Sequence, residues 1–265
     1  MTDRIGEHVY VHRMHTMGFD TIAAVVLTAT RAIVFDTLVS PQAMAPVRDL
    51  LGDVAGRRRT VVVSSHHHWD HVWGNAAFRD CEIIAHGACP RLMLAQSRDP
   101  SPKLPPEPPE GIVLPTITFG DGLVFVDGTE TVRLIHAPGH TEDSVVLYLE
   151  EERVLLAGDA VEWPLPAFEQ HGGYDDYVRT LHGLRGLGAE TVVPSHGPPM
   201  DPSIIDANER YISQLVAAVA ELKRQGLGRG ELELPVERFV GGDLMVSDVY
   251  REVHRDNLVW AYDEV

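Results

Sequence analysis

The chain has 265 residues, with 39 acidic and 22 basic side chains and a formal charge of −17. Its 44% apolar and 23% charged content is that of a globular protein, which excludes a disordered tail or a fibrous repeat. So large an acidic excess argues against a nucleic-acid partner, because neutralising phosphates takes a basic patch.

Short strands open the chain. Tyr10 to His12, Thr21 to Thr28 and Arg31 to Asp36 are rich in β-branched and apolar residues. The most apolar early run, Ile22 to Leu27, is far too short to cross a bilayer, so no membrane partner is expected. Pro41 to Leu51 has helical spacing, Thr60 to Val63 reads as a buried strand, and Asp70 to Phe78 opens as a helix. Glu82 to Ala85 is a further strand, and 87–98 is helical in character. Asp99 to Pro115 carries seven prolines and reads as a surface loop.

Strand signals then crowd together at Leu123 to Val126, Thr131 to His136, Ser144 to Glu150 and Arg153 to Ala157, the last two joined by a tip at Glu150 to Glu152. Tyr174 to Leu187 is helical and Thr191 to Pro194 is a short apolar strand. Asp201 to Gln225 is the clearest helix, with Asp201 as its cap and Pro202 at its first position. A final helix is expected from Ser247 to about Tyr262. The order predicts α/β layers with mixed sheets, and no linker divides residues 1–265 into separate domains. Cys81 and Cys89 are too few to staple such a chain. With no basic-then-apolar leader in Met1 to His8, they predict a reducing, cytoplasmic setting.

The informative residues are the 14 histidines, four of which fall between positions 66 and 71. A buried strand, Val61 to Val63, runs into Ser64-Ser65-His66-His67-His68-Trp69-Asp70-His71. In extended backbone His66 and His68 project to one side, which suits one metal, while Asp70 and His71 follow at the turn and suit another. Each metal needs three or four protein ligands. His140, Asp159 and His196 are the natural complement, since each follows an apolar strand and neighbours a glycine where the backbone can approach closely. Seven ligands for two metals result.

These residues resemble the metallo-β-lactamase superfamily. The match is Asp36 after its strand, then His66-His67-His68-Trp69-Asp70-His71, then His140 in Ala-Pro-Gly-His-Thr. Asp159 in Ala-Gly-Asp-Ala and His196 in Pro-Ser-His-Gly complete it. The resemblance implies an αββα four-layer sandwich of two mixed sheets, with helices 201–265 packed on it. It also implies that His66, His68 and His140 hold a first metal, that Asp70, His71 and His196 hold a second, and that Asp159 bridges them. Asp36 is implied as a support rather than a ligand, and His67 is expected to face solvent.

The implied cofactors are two zinc ions, with iron or manganese as alternatives. Two such ions can share a water and acidify it toward neutral pH, giving a bridging hydroxide that Asp70 orients. The expected reaction is hydrolysis of a small-molecule ester, thioester or lactone, in the manner of glyoxalase II and lactonases. The alternatives are a mononuclear iron enzyme resembling persulfide dioxygenases, or a phosphodiesterase or β-lactamase of the same fold. Glu162-Trp163-Pro164 stands where quorum-quenching lactonases often carry a tyrosine. The early loop (His12, Met14, His15, Met17, Phe19) and the segment Glu162 to Tyr174, with Trp163 and Phe168, are expected to wall the pocket. His254 is expected on a helix surface, and both cysteines are expected to be structural.

Overall fold

The computed structural model describes residues 2–98, 111–168, 173–241 and 246–265. Seven strands form one sheet whose spatial order follows the chain: β1 (Thr2–Ile5), β2 (Val9–Thr16), β3 (Phe19–Leu27), β4 (Arg31–Phe35), β5 (Arg59–Val63), β6 (Glu82–His86) and β7 (Ile117–Phe119). β1 to β4 pair antiparallel, whereas β4 to β7 pair parallel. Parallel neighbours need crossovers. These are supplied by α1 (Ala45–Val54), by α2 (Trp69–Val72) with its 3₁₀ continuation Trp73–Phe78, and by α3 (Cys89–Gln96) with the segment after it.

The second sheet contains β8 (Gly122–Asp127), β9 (Glu130–His136), β10 (Val145–Leu149), β11 (Val154–Gly158) and β12 (Thr191–Pro194), in the order β12-β11-β10-β9-β8. Only β11 and β12 pair parallel, across the helix α4 (Tyr174–Gly186).

Alternation along the strands explains why two sheets stack and why each also carries helices. Val145, Leu147 and Leu149 of β10, with Val154 and Leu156 of β11, face the first sheet. There they meet Ile33 and Phe35 of β4 and Val61 and Val63 of β5. The intervening residues point outward: Val146, Tyr148, Leu155 and Ala157 pack under helices on one side, and Ala32, Val34 and Val62 pack on the other with Val47 and Leu51 of α1. The central strands are therefore buried on both faces and read as continuous apolar runs. The layers are αββα, as expected.

α5 (Ser203–Arg224) lays Ile205, Ile212, Leu215 and Val219 on the second sheet's outer layer. Each such burial is worth roughly 1.5–3 kcal/mol. α6 (Glu237–Val240) and α7 (Asp248–Glu264) complete that layer, with Leu258, Trp260 and Ala261 of α7 buried. Among the described residues, no helix is long and apolar enough to cross a membrane.

Several local expectations shift. β1 and β7 carry no apolar alternation strong enough to announce them. They exist because an exposed edge of the sheet supplies partners for Thr2–Ile5 and Ile117–Phe119. The helix expected from Pro41 begins at Ala45, after a turn. α5 begins at Ser203, and Asp201 accepts the Ser203 N–H at 2.9 Å. Of the proline-rich segment, 111–115 is irregular, and 99–110 lies outside the described residues.

Candidate metal centre

Every functional loop leaves the carboxyl end of a strand. β4 ends at Asp36, β5 at the histidine run, β9 at the turn to His140, β11 at Asp159 and β12 at His196. Backbone bonds draw these ends together across the two sheets: Val145 N donates to Ser65 O at 2.7 Å, and Ile22 N donates to Ser195 O at 3.1 Å. Gly158 is required here. Its φ is +54°, and a Cβ would lie 3.0 Å from that of Ser65.

All seven candidate ligands meet in one buried cluster. His66, His68, His140 and Asp159 form one group with their donor atoms mutually within 4.8 Å, and Asp70, His71 and His196 form another. His68 Nδ1 lies 2.9 Å from His66 Nε2 and 3.1 Å from His140 Nε2. His71 Nε2 lies 3.3 Å from Asp70 Oδ2, and His196 Nε2 lies 3.6 Å from the same atom. Asp159 Oδ2 sits between the groups, 3.6 Å from His66 Nε2 and 3.5 Å from His140 Nε2. The same oxygen is 3.3 Å from His71 Nε2 and 3.2 Å from His196 Nε2.

Hydrogen bonds on the far side of each ring decide which nitrogen faces inward. Nδ1–H of His140 donates to Ala167 O at 3.0 Å, and that of His196 donates to Asp20 O at 2.7 Å. A carbonyl only accepts, so in the neutral form of each ring Nε2 keeps its lone pair toward the centre. His71 Nδ1 faces Asp36 Oδ2 at 3.0 Å. His66 Nδ1 faces Ser65 Oγ at 2.9 Å, and that hydroxyl donates to Asp36 Oδ2 at 2.7 Å. Asp36 also accepts Ser65 N–H at 2.7 Å. One fully buried carboxylate thus orients a candidate ligand of each group. It does so from a left-handed φ of +63°, a conformation that Asp tolerates better than most residues.

Burial and the neighbouring imidazoles hold the His66 and His68 pKa values well below the ordinary histidine range, leaving both rings neutral. Burial also pulls His71 down, but Asp159, Asp70 and Asp36 outweigh it and raise the ring well above that range. His196 is pushed to about 10 because Asp159, Asp70 and Glu162 overcome its burial. Burial raises Asp159 in turn, yet His196, His71 and His66 bring it well below the usual carboxylate range. Without a cation, protons on His71 and His196 balance the buried carboxylates.

The donor set fits a pair of divalent cations. His68 Nδ1 stands 2.9 and 3.1 Å from two other ring nitrogens, and one N–H cannot satisfy all three, so they converge as a donor set for a cation. His71 Nε2 and Asp159 Oδ1 are buried without a hydrogen-bond partner. Tetrahedral zinc with Zn–N of roughly 2.0–2.1 Å separates its ligand atoms by roughly 3.3–3.4 Å, which falls inside the observed spread.

The centre opens on a cavity of about 510 Å³. Met17 and Phe19 line it as expected, whereas His12 is buried against Thr2 and Met14 packs toward α1. Glu162 and Ala167 also line it. Burial and Asp159 raise the Glu162 carboxyl well above its usual range, and Oε1 accepts Ala167 N–H at 2.7 Å. Trp163 and His15 border an adjoining cleft instead.

Three expectations are corrected. Phe168 is core, 4.5 Å between ring centroids from Trp260, because Asn257 Oδ1 holds its N–H at 2.9 Å and turns the ring inward. His67 does not simply face solvent: its Nδ1 is 2.9 Å from the buried Asp143 Oδ1. His254 is buried rather than superficial, bonded to Tyr211 Oη at 2.7 Å and Leu234 O at 2.9 Å. Of the expected wall Glu162 to Tyr174, 169–172 lies outside the described residues. Cys89 is buried and Cys81 half-buried, and neither joins the ligand cluster.

Sequence reasoning missed the cavity wall supplied by α7, namely Val249, Tyr250, Glu252, Val253 and Asp256. The only signal for it was the helical periodicity itself.

The sequence profile of the Metallo-beta-lactamase superfamily matches residues 17–196, and the chain belongs to that superfamily. It is 31% identical over 162 residues to a Beta-lactamase-like protein 2 homolog of Caenorhabditis elegans, covering 61% of this chain and 50% of that protein. It is 29% identical over 187 residues to the Hydroxyacylglutathione hydrolase of Methylococcus capsulatus, covering 71% and 61%. The chain thus spans about half to three-fifths of the length of these relatives. A metallo-beta-lactamase from Pontibacter korlensis has the same fold, with a TM-score of 0.63 at 21% identity over 78% of this chain and 95% of that one.

Proposed function

We propose that the protein is a dinuclear metal-dependent hydrolase that cleaves an ester, thioester or lactone of a small molecule. The carrying observation is Asp159 Oδ2, which stands 3.2–3.6 Å from four imidazole nitrogens, two in each group. A carboxylate so placed serves two cations at once. His66, His68 and His140 would hold the first, Asp70, His71 and His196 the second. Once bound, the cations supply Lewis-acid polarisation of the scissile carbonyl and a water acidified toward neutral pH.

The chain's own residues do the rest. Asp70 and Asp159 both border the cavity; Asp159 is engaged between the two groups, which leaves Asp70 to orient the attacking water and take up its proton. Thr21 Oγ1 donates to Asp70 Oδ2 at 3.3 Å and steadies it. Phe19, edge-on to the His196 ring at 5.2 Å, and Trp69 shield the centre from bulk water. Neither cysteine is needed as a nucleophile.

A panel of thioesters, lactones, aryl esters and phosphodiesters, assayed with zinc- and manganese-loaded protein, tests the proposal. Turnover of an acyl substrate that Asp70→Asn, assayed at saturating metal, lowers by about 10²-fold or more supports it. Oxygen uptake by an iron-loaded form, with no hydrolysis, overturns it.

A further inference from the structure

Of the four histidines between positions 66 and 71, His67 is the one outside the ligand cluster. Its side chain is 13% exposed, and its Nδ1 lies 2.9 Å from Oδ1 of the fully buried Asp143. Burial raises the Asp143 carboxyl, yet hydrogen bonds from His67, Thr141 and Cys89 bring it below its usual range. An ionised carboxylate only accepts, so His67 Nδ1 carries the hydrogen of this bond. Thr141 Oγ1 donates to the same oxygen at 2.9 Å. With its hydrogen placed there, Thr141 Oγ1 accepts from Ser144 Oγ at 2.8 Å, and Ser144 Oγ accepts the Thr141 N–H at 3.1 Å. The turn after His140 is thereby closed on itself, with Thr141, Asp143 and Ser144 all buried.

Asp143 therefore joins the loop after β5, which carries His66 and His68, to the loop after β9, which carries His140. The backbone bond from Val145 N to Ser65 O fixes the bases of these loops, whereas Asp143 fixes positions 67 and 141, beside the ligands themselves. The Asp36 carboxylate bonds to Ser65 and His71 and steadies the β5 loop alone. Resting on the dinuclear reading above, we propose that Asp143 is a positioning residue for the first cation. Acting through His67 and Thr141, it holds His66 and His68 in register with His140, and so sets the affinity of that site and not of the second. Nitrogens from two loops bind one cation tightly only if the loops are ordered before it arrives, since any ordering left to be done weakens binding. The second group draws its support elsewhere: His71 is held by Asp36 and His196 by Asp20 O.

The experiment changes His67, whose side chain reaches the surface, and leaves Asp143 its bond from Thr141. His67→Asn keeps an N–H donor near the Nδ1 position, His67→Phe keeps a ring without a donor, and His67→Ala keeps neither. Stepwise zinc affinities are read by competition with a chromophoric chelator, alone and combined with His140→Ala or His196→Ala, which remove a ligand from the first or the second site. His67→Phe and His67→Ala should each weaken one zinc by about tenfold and leave the other within about twofold, while His67→Asn stays within about twofold of the parent at both. The loss should persist alongside His196→Ala and vanish alongside His140→Ala. A packing role for His67 would instead spare His67→Phe, and that result overturns the inference. Equal weakening of both cations overturns it too, as does His67→Asn binding no better than His67→Phe, or a loss that survives His140→Ala. Stoichiometry separates the two readings: a parent that holds a single zinc refutes the dinuclear centre, and the tether then stands if His67→Phe weakens that zinc and falls if it does not.

Discussion

Asp36→Asn isolates the support beneath the metal centre. Asn fits the same space and tolerates the left-handed backbone at φ +63°, so the local fold survives. Its amide oxygen can still accept Ser65 N–H, but its NH₂ then faces His71 Nδ1 and Ser65 Oγ, where Oδ2 accepted at 3.0 and 2.7 Å. A donor meets a donor at His71. The ring answers by moving its proton to Nε2, the atom aimed at Asp70 and Asp159, and ceases to be a ligand until that cost is met. Loss of an orienting partner of this kind weakens metal binding by about 10- to 100-fold, or roughly 1.4–2.8 kcal/mol. The reversed Ser65 hydroxyl disturbs His66 to a smaller degree. Two buried charge-assisted bonds are lost or inverted, so the metal-free protein should also lose about 2–4 kcal/mol of stability. Competition with a chromophoric chelator gives both metal affinities, and urea unfolding of the metal-free form gives the second quantity. A variant that binds both metals within twofold of the parent would refute this reasoning.

Other consequences follow from the same geometry. His71 and His196 are protonated at neutral pH without metal, so loading should release close to two protons per chain and tighten as pH rises. Calorimetry in buffers of different ionisation enthalpy reads that number, and heats independent of buffer would contradict it. Asn257→Ala leaves Phe168 N–H and Pro166 O without their partner and should cost about 2–4 kcal/mol. By loosening Ala167 O, which holds His140, it should weaken the first metal more than the second; equal weakening would sink the idea. Asp127 accepts hydrogen bonds from Thr28 and Thr30 that outweigh its burial and bring its pKa to about 2. Its folded value lies below the unfolded one, so its contribution is complete above about pH 4 and lost as pH falls toward 2. Allowing for solvent screening, that contribution is about 1 kcal/mol, and Asp127→Asn should flatten the acid limb of unfolding by that amount.

The centre was legible in the sequence because its ligands follow apolar strands directly. A strand buried on both faces ends at a rigid edge, and the next few residues have little freedom, so His66, Asp159 and His196 announce themselves by local pattern. The α7 wall did not, since its position depends on Leu258 and Trp260 finding the second sheet's helical layer, a contact between distant parts of the chain. Phe168 and His254 were misplaced for the same reason. Phe168 turns inward on a bond from Asn257, 89 residues away, and His254 is held by Tyr211, 43 residues away. Side-chain type alone carried neither fact. β1 and β7 were missed because edge strands are specified by an available neighbour more than by their own residues.

The central claim, two cations sharing Asp159, is tested most directly by metal content. The protein, stripped with chelator and refilled with zinc, is separated from free metal and its metal per chain is measured by mass spectrometry. The account predicts two equivalents in the parent and fewer in Asp159→Ala, with intact folding by circular dichroism. Saturation at one equivalent in the parent, or two tightly held equivalents in the Asp159 variant, would contradict it.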